Sequence, residues 1–67
     1  MMIPRTVAAL QAKRRYNSLD QQINDLEHYA ARVLADGDAA KAAELAAPLE
    51  QMRADRAAWY AEMLRLR

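Results

Sequence analysis

Apolar residues recur along the chain in alternating steps of three and four. They fall first at Tyr16, Leu19, Ile23, Leu26, Ala30 and Val33, and again at Leu45, Leu49, Met52, Trp59, Met63 and Leu66. This spacing holds them on one side of an α-helix with the rhythm of a coiled-coil seam. No stretch alternates apolar and polar residues with a period of two, so no strand competes with the helical reading. One charged residue, Arg56, occupies the seam position between Met52 and Trp59. Its aliphatic stem is expected to lie along the seam while the guanidinium reaches Asp20 or water, the alternative being a register-setting contact between subunits.

The strongest punctuation inside the chain is Asp36-Gly37-Asp38. Gly37 suits the left-handed conformation that ends a helix, and Asp38 suits the cap of the next one. Pro4 fits a first helical turn, so the pattern predicts helices over residues 4–35 and 39–66. Two arms of matched length joined by a short turn make an all-α antiparallel hairpin, a single domain over residues 1–67. Pro48 interrupts the second arm, where it lacks a backbone donor and crowds the carbonyl of Glu44. Either a kink in a continuous helix or the start of a second piece is expected near it, the kink being favoured because Ala47 is a poor cap. Folding the chain at Gly37 brings Ala30 to Leu45, Leu26 to Leu49, Ile23 to Met52 and Tyr16 to Trp59. The predicted core is therefore Tyr16, Leu19, Ile23, Leu26, Val33, Leu45, Leu49 and Met52.

Size changes this picture. A 67-residue chain of 7.6 kDa buries little apolar surface on its own. It has no cysteine and one histidine, so neither disulfides nor a structural zinc is expected to staple it. Association remains as the stabiliser, and dimerisation into a four-helix bundle is the expectation. Ala54, Ala57, Ala58 and Ala61 form a small-residue strip that permits close helix approach. Ile3, Val7 and Leu10 recur at helical spacing on the side of the first arm away from the seam, and Tyr60 lies beside the seam on the second arm. An apolar stripe of Ile3, Val7 and Leu10, or the second-arm group Trp59, Tyr60 and Met63, is the expected partner-binding surface.

The net charge of +1 conceals a strong separation. Residues 1–18 and 53–67 hold eight bases against two acids, which leaves the open end of the hairpin at +6. Residues 19–52 hold seven acids against two bases, a balance of −5 toward the turn. Lys13, Arg14 and Arg15 concentrate the positive charge and join the expected binding surface.

Catalysis finds no support in the residues. His28 is the only imidazole and falls on the outward face, and Thr6 and Ser18 are not placed to form a triad with it. Asp20, Asp25 and Glu27 lack the Glu-x-x-His repeats of carboxylate-bridged metal bundles, and no glycine-rich phosphate loop exists. The protein is read as a non-enzyme with no cofactor and no metal. The absence of an apolar spanning run, of a signal pattern and of cysteine leads to the expectation of a cytoplasmic protein that does not enter a membrane.

Sixteen alanines, eight arginines, a short chain and no catalytic apparatus resemble the small phage-encoded helical hairpins that bind and disable host proteins. That group includes the anti-quorum-sensing type, which is dimeric and blocks a host transcription factor. The architecture also resembles the Rop-type plasmid regulators, hairpins of similar size that dimerise into four-helix bundles and bind paired RNA loops. Neither resemblance assigns roles to particular residues. The first implies a homodimeric interaction protein that modulates a host protein, in the manner of a phage or mobile-element accessory protein. The alternatives are an RNA-binding regulator using Lys13, Arg14, Arg15 and Arg65, and a structural subunit of a larger helical assembly.

Overall fold

A computed structural model describes residues 5–66. The first arm is helix α1, Arg5–Ala35. The second arm consists of α2, Ala39–Glu44, and α3, Ala46–Arg65. Among the described residues the remainder is turn, with no strand. Ile3, Pro4 and Arg67 lie outside the described residues.

The turn follows from local chemistry. Gly37 adopts φ 91°, where a side chain is strained. Its amide donates to the Leu34 carbonyl at 3.0 Å, and the Asp38 amide donates to the Val33 carbonyl at 3.1 Å. These two bonds form a Schellman motif and satisfy carbonyls that the end of α1 would otherwise leave unpaired. One residue later, the Asp38 carboxylate accepts from the Lys41 amide at 3.0 Å and caps α2. A single glycine flanked by two aspartates thus stops one helix and starts the next.

The second arm bends rather than running straight. Leu45 separates α2 from α3, and its amide donates to Ala42, three residues back, at 3.2 Å. Pro48 lies in the first turn of α3, where its missing donor costs least. Leu45 stays in the right-handed region at φ −81°, ψ −11°, so the chain changes direction without reversing. The second arm is bent near Pro48 as expected, three residues upstream of the proline itself, and the bend divides it into two helical pieces.

The two arms run antiparallel in a consistent register. Arg53 meets Glu27, Arg56 meets Asp20, and Leu66 meets Arg5. Each of the eight predicted core residues is buried or half-buried along the seam. Among the described residues Ile23 is the only large side chain that is fully buried, at 1% exposure, and Ala12, Val33 and Leu49 complete the buried set. One expected pairing shifts by a residue: the ring that meets Tyr16 belongs to Tyr60, with centroids 5.8 Å apart, and not to Trp59. Tyr16 leans toward one flank of the seam, whereas Trp59 leans toward the other.

The resulting body is a rod of 52 × 19 × 15 Å with a radius of gyration of 15.6 Å. A compact chain of this length would have a radius near 11 Å. Two helices can cover only one stripe of each other, so most of the side-chain surface stays outside.

Candidate functional site

The open end gathers the basic residues, and its geometry is set by contacts between the two arms. The Arg5 side chain lies across the end of α3, where Nε donates to the Leu66 carbonyl at 3.0 Å and Nη2 to the Arg65 carbonyl at 3.4 Å. A guanidinium there satisfies free carbonyls and opposes the negative end of the helix dipole. One turn inward, Arg65 and Glu62 form an ion pair whose Nε–Oε2 hydrogen bond is 3.0 Å. The pair holds the Glu62 carboxyl below the usual carboxylate range and pushes the Arg65 guanidinium higher still.

On one flank a groove of about 580 Å³ runs between α1 and α3. Trp59 and Glu62 line it from α3 and Leu66 from the residue that follows, and Gln11, Arg14, Arg15 and Ser18 line it from α1. Trp59 is half-buried, so part of its ring remains available. Arg14 and Arg15 are exposed and form no ion pair or hydrogen bond among the described residues. Two unengaged guanidinium groups therefore rim a cleft that contains an indole. Both residue types are the ones that dominate binding energy at protein interfaces.

The opposite flank is different in character. The Arg56 guanidinium reaches from the seam to Asp20, Nη1 to Oδ1 at 2.7 Å, and Arg53 reaches Glu27 at 3.3 Å. These links pair four of the charges of this flank and leave Lys13 on it without an ion-pair partner among the described residues. Around them stand exposed apolar side chains: Tyr60 beside Tyr16, Leu64 one turn beyond Tyr60, and Leu10 and Leu34 on α1. Leu34 is 57% exposed and Tyr60 49%. Val7 is also exposed, on the face of α1 turned away from α3.

The predicted binding residues do not form one patch. Trp59, Arg14 and Arg15 converge on the groove. Leu10 and Tyr60 belong to the apolar flank, with Lys13 on the same stripe of α1 as Asp20. Met63 is half-buried in the seam. Ile3 lies outside the described residues.

At the turn end the Lys41 ammonium sits 5.9 Å from the centre of the Tyr29 ring. Tyr29, followed by the nearby acids Asp38 and Glu44, raises its pKa above the ordinary lysine value. His28 is exposed beside Asn24, Glu27 and Ala31. The three acids considered as metal ligands each have another partner: Asp20 has Arg56, Glu27 has Arg53, and Asp25 accepts from Gln21 at 2.9 Å. Among the described residues no three groups of His, Cys, Asp or Glu are gathered to hold a metal ion, and no helix is long and apolar enough to cross a membrane.

Several of these features escape sequence reasoning. The Arg5 clasp on Leu66 depends on where the register ends, and the Lys41–Tyr29 contact depends on the path of the short α2. The Arg53–Glu27 pair carries a detectable signal, since opposite charges flank the seam on facing arms at matching depth. Comparisons of the chain with family models, with curated proteins and with solved structures find no match.

Proposed function

We propose that this protein is a non-enzymatic, homodimeric helical hairpin that binds and modulates a host protein in the cytoplasm, as an accessory protein of a phage or mobile element. The observation that carries this reading is the cross-arm groove, with Trp59 on its wall and Arg14 and Arg15 unengaged on its rim. Such a cleft suits a partner segment that offers an apolar side chain flanked by carboxylates. The indole contributes apolar contact area, and the two guanidinium groups supply directional hydrogen bonds to carboxylates. A regulatory protein such as a transcription factor, approached on an acidic or apolar surface, fits that chemistry.

Trp59 is the only tryptophan, so its fluorescence reports occupancy of the groove directly. Affinity capture from a bacterial lysate with and without nuclease tests the reading. A stoichiometric protein that survives nuclease and moderate salt, and that is lost on Trp59→Ala or on the double change Arg14→Glu, Arg15→Glu, is the expected result. Co-purified RNA that falls away steeply with salt would instead support the RNA-binding reading. That second reading draws on one specific observation, the +6 balance at the open end with Arg14 and Arg15 unpaired.

A further inference from the structure

We infer that the apolar flank of the hairpin is its self-association surface, and that the second copy packs on it antiparallel, open end against turn end. The inference rests on the homodimer of the proposed function and adds the face and the orientation.

The face follows from where the apolar groups stand. Six large apolar side chains are exposed among the described residues: Val7, Leu10, Tyr29, Leu34, Tyr60 and Leu64. On α1, Lys13, Asp20, Glu27 and Leu34 recur every seven residues and share one flank of the seam. On α3, Arg53 and Tyr60 do the same and meet that flank, as the Arg53–Glu27 pair shows. Leu10 stands one turn from Lys13, and Leu64 one turn from Tyr60, on the outer edge of the same flank. Four of the six thus lie on one side. The groove side carries Tyr29 alone, amid Gln11, Arg15, Ser18 and Gln22, and Val7 lies on the outer face of α1.

The amount of surface is sufficient. The chain exposes 5253 Å². A compact monomer of its mass would expose about 4,300 Å². The excess is close to the roughly 800 Å² that each partner contributes to a standard interface.

Charge decides the orientation. A second copy laid in the same direction sets +6 against +6 and −5 against −5, whereas the reversed copy sets each end on its opposite. Shape agrees with charge. With the rods overlapped along their full length and reversed, Leu10 and Leu64 of one copy fall at the level of Ala31 and Ala46 of the other, so large side chains meet small ones. The ion pairs Arg56–Asp20 and Arg53–Glu27 are already closed within each chain, so they enter the interface neutralised. Both Trp59 grooves remain on the outer sides of the dimer, at opposite ends.

Electron paramagnetic resonance on spin-labelled single-cysteine variants tests this, because the chain has no cysteine of its own. Gln21 lies near the middle of the rod and Ala35 near the turn, both on the outward face of α1 and away from the interface. In the antiparallel dimer the Ala35→Cys labels stand more than about 40 Å apart and the Gln21→Cys labels distinctly closer. Equal separations at the two positions would overturn the orientation while leaving the homodimer intact. Leu64→Glu should shift the light-scattering mass toward monomer, with Ala58→Glu on the other flank unchanged; the reverse pattern would overturn the face. A wild-type protein that stays monomeric at high micromolar concentration overturns this inference and the homodimer together, whereas its binding through the Trp59 groove is read separately by fluorescence.

Discussion

Arg56 occupies a seam position, yet its guanidinium leaves the seam to meet Asp20 on the facing arm at 2.7 Å. The Arg56 side chain is 31% exposed and Asp20 57%, so water screens the pair. Its coupling in a double-mutant cycle with Asp20→Ala and Arg56→Ala should fall at about 0.2–1 kcal/mol and shrink with added salt. The stem contributes separately, because it covers apolar surface between Met52 and Trp59. Arg56→Met should therefore retain most of the stability that Arg56→Ala loses, as urea denaturation would show. A methionine variant as unstable as the alanine one would mean that charge, not the stem, holds this position.

Gly37 has open space where a Cβ would sit, with no atom within 4 Å beyond its own residue and its two chain neighbours. The penalty for a side chain there is thus purely conformational. Gly37→Ala should destabilise the protein by about 1–2 kcal/mol, and Gly37→Asn by less, because asparagine tolerates the left-handed region. Asp38→Ala should cost about 1 kcal/mol through the lost cap on the Lys41 amide. Thermal unfolding monitored by circular dichroism measures all three.

Pro48→Ala should restore a backbone donor aimed at the Glu44 carbonyl and let α2 and α3 merge. Helical ellipticity should rise, and the amides of residues 45–48 should gain protection in hydrogen exchange. The stability gain should stay below about 1 kcal/mol. Proline at a first helical turn carries little of the roughly 3 kcal/mol it costs in a helix interior, and alanine increases the freedom of the unfolded chain. Unchanged exchange at residues 45–48 would show that packing of Leu45, not the proline, sets the break.

Glu62 titrates below the usual carboxylate range because Arg65 stabilises its charged form. Its folded pKa lies below its unfolded one, so this pair stabilises the fold above the unfolded value and ceases to do so as pH falls through the folded value. Arg65→Gln should return the Glu62 titration, followed by carbon-detected nuclear magnetic resonance, toward the ordinary glutamate range. Because both groups sit in solvent, the accompanying change in unfolding midpoint should be small.

Much of the fold is visible in the residues. The three-and-four spacing identifies the seam, because a helix cannot place Ile23, Leu26, Ala30 and Val33 on one side in any other register. Asp36-Gly37-Asp38 fixes the turn, since each residue type has one favoured place in a helix stop and start. The location of the bend was less accessible: Pro48 announces a break, but whether the chain yields at the proline or a turn earlier depends on how Leu45 packs. The candidate surfaces were legible only as an inventory. Sequence spacing places Trp59 and Tyr60 side by side, while the helix turns them by about 100° and sends them to opposite flanks. That rotation separates a cleft with an indole from an apolar face, and it emerges only when both arms are present.

Arg5 and Leu66, sixty-one positions apart in the chain, are hydrogen-bonded neighbours. A tension applied between residues 5 and 66 would therefore pull at right angles to the rod and meet one seam layer at a time. Arg5 would release Leu66 first, the Tyr16–Tyr60 contact would follow, and the Schellman turn at Gly37 would open last. Such a molecule is mechanically weak along that axis whatever its thermal stability, because a zipper opened from its end resists with the strength of a single layer. The same hairpin pulled along its length, between its turn and its open end, would load every layer at once and should hold far longer in an optical trap.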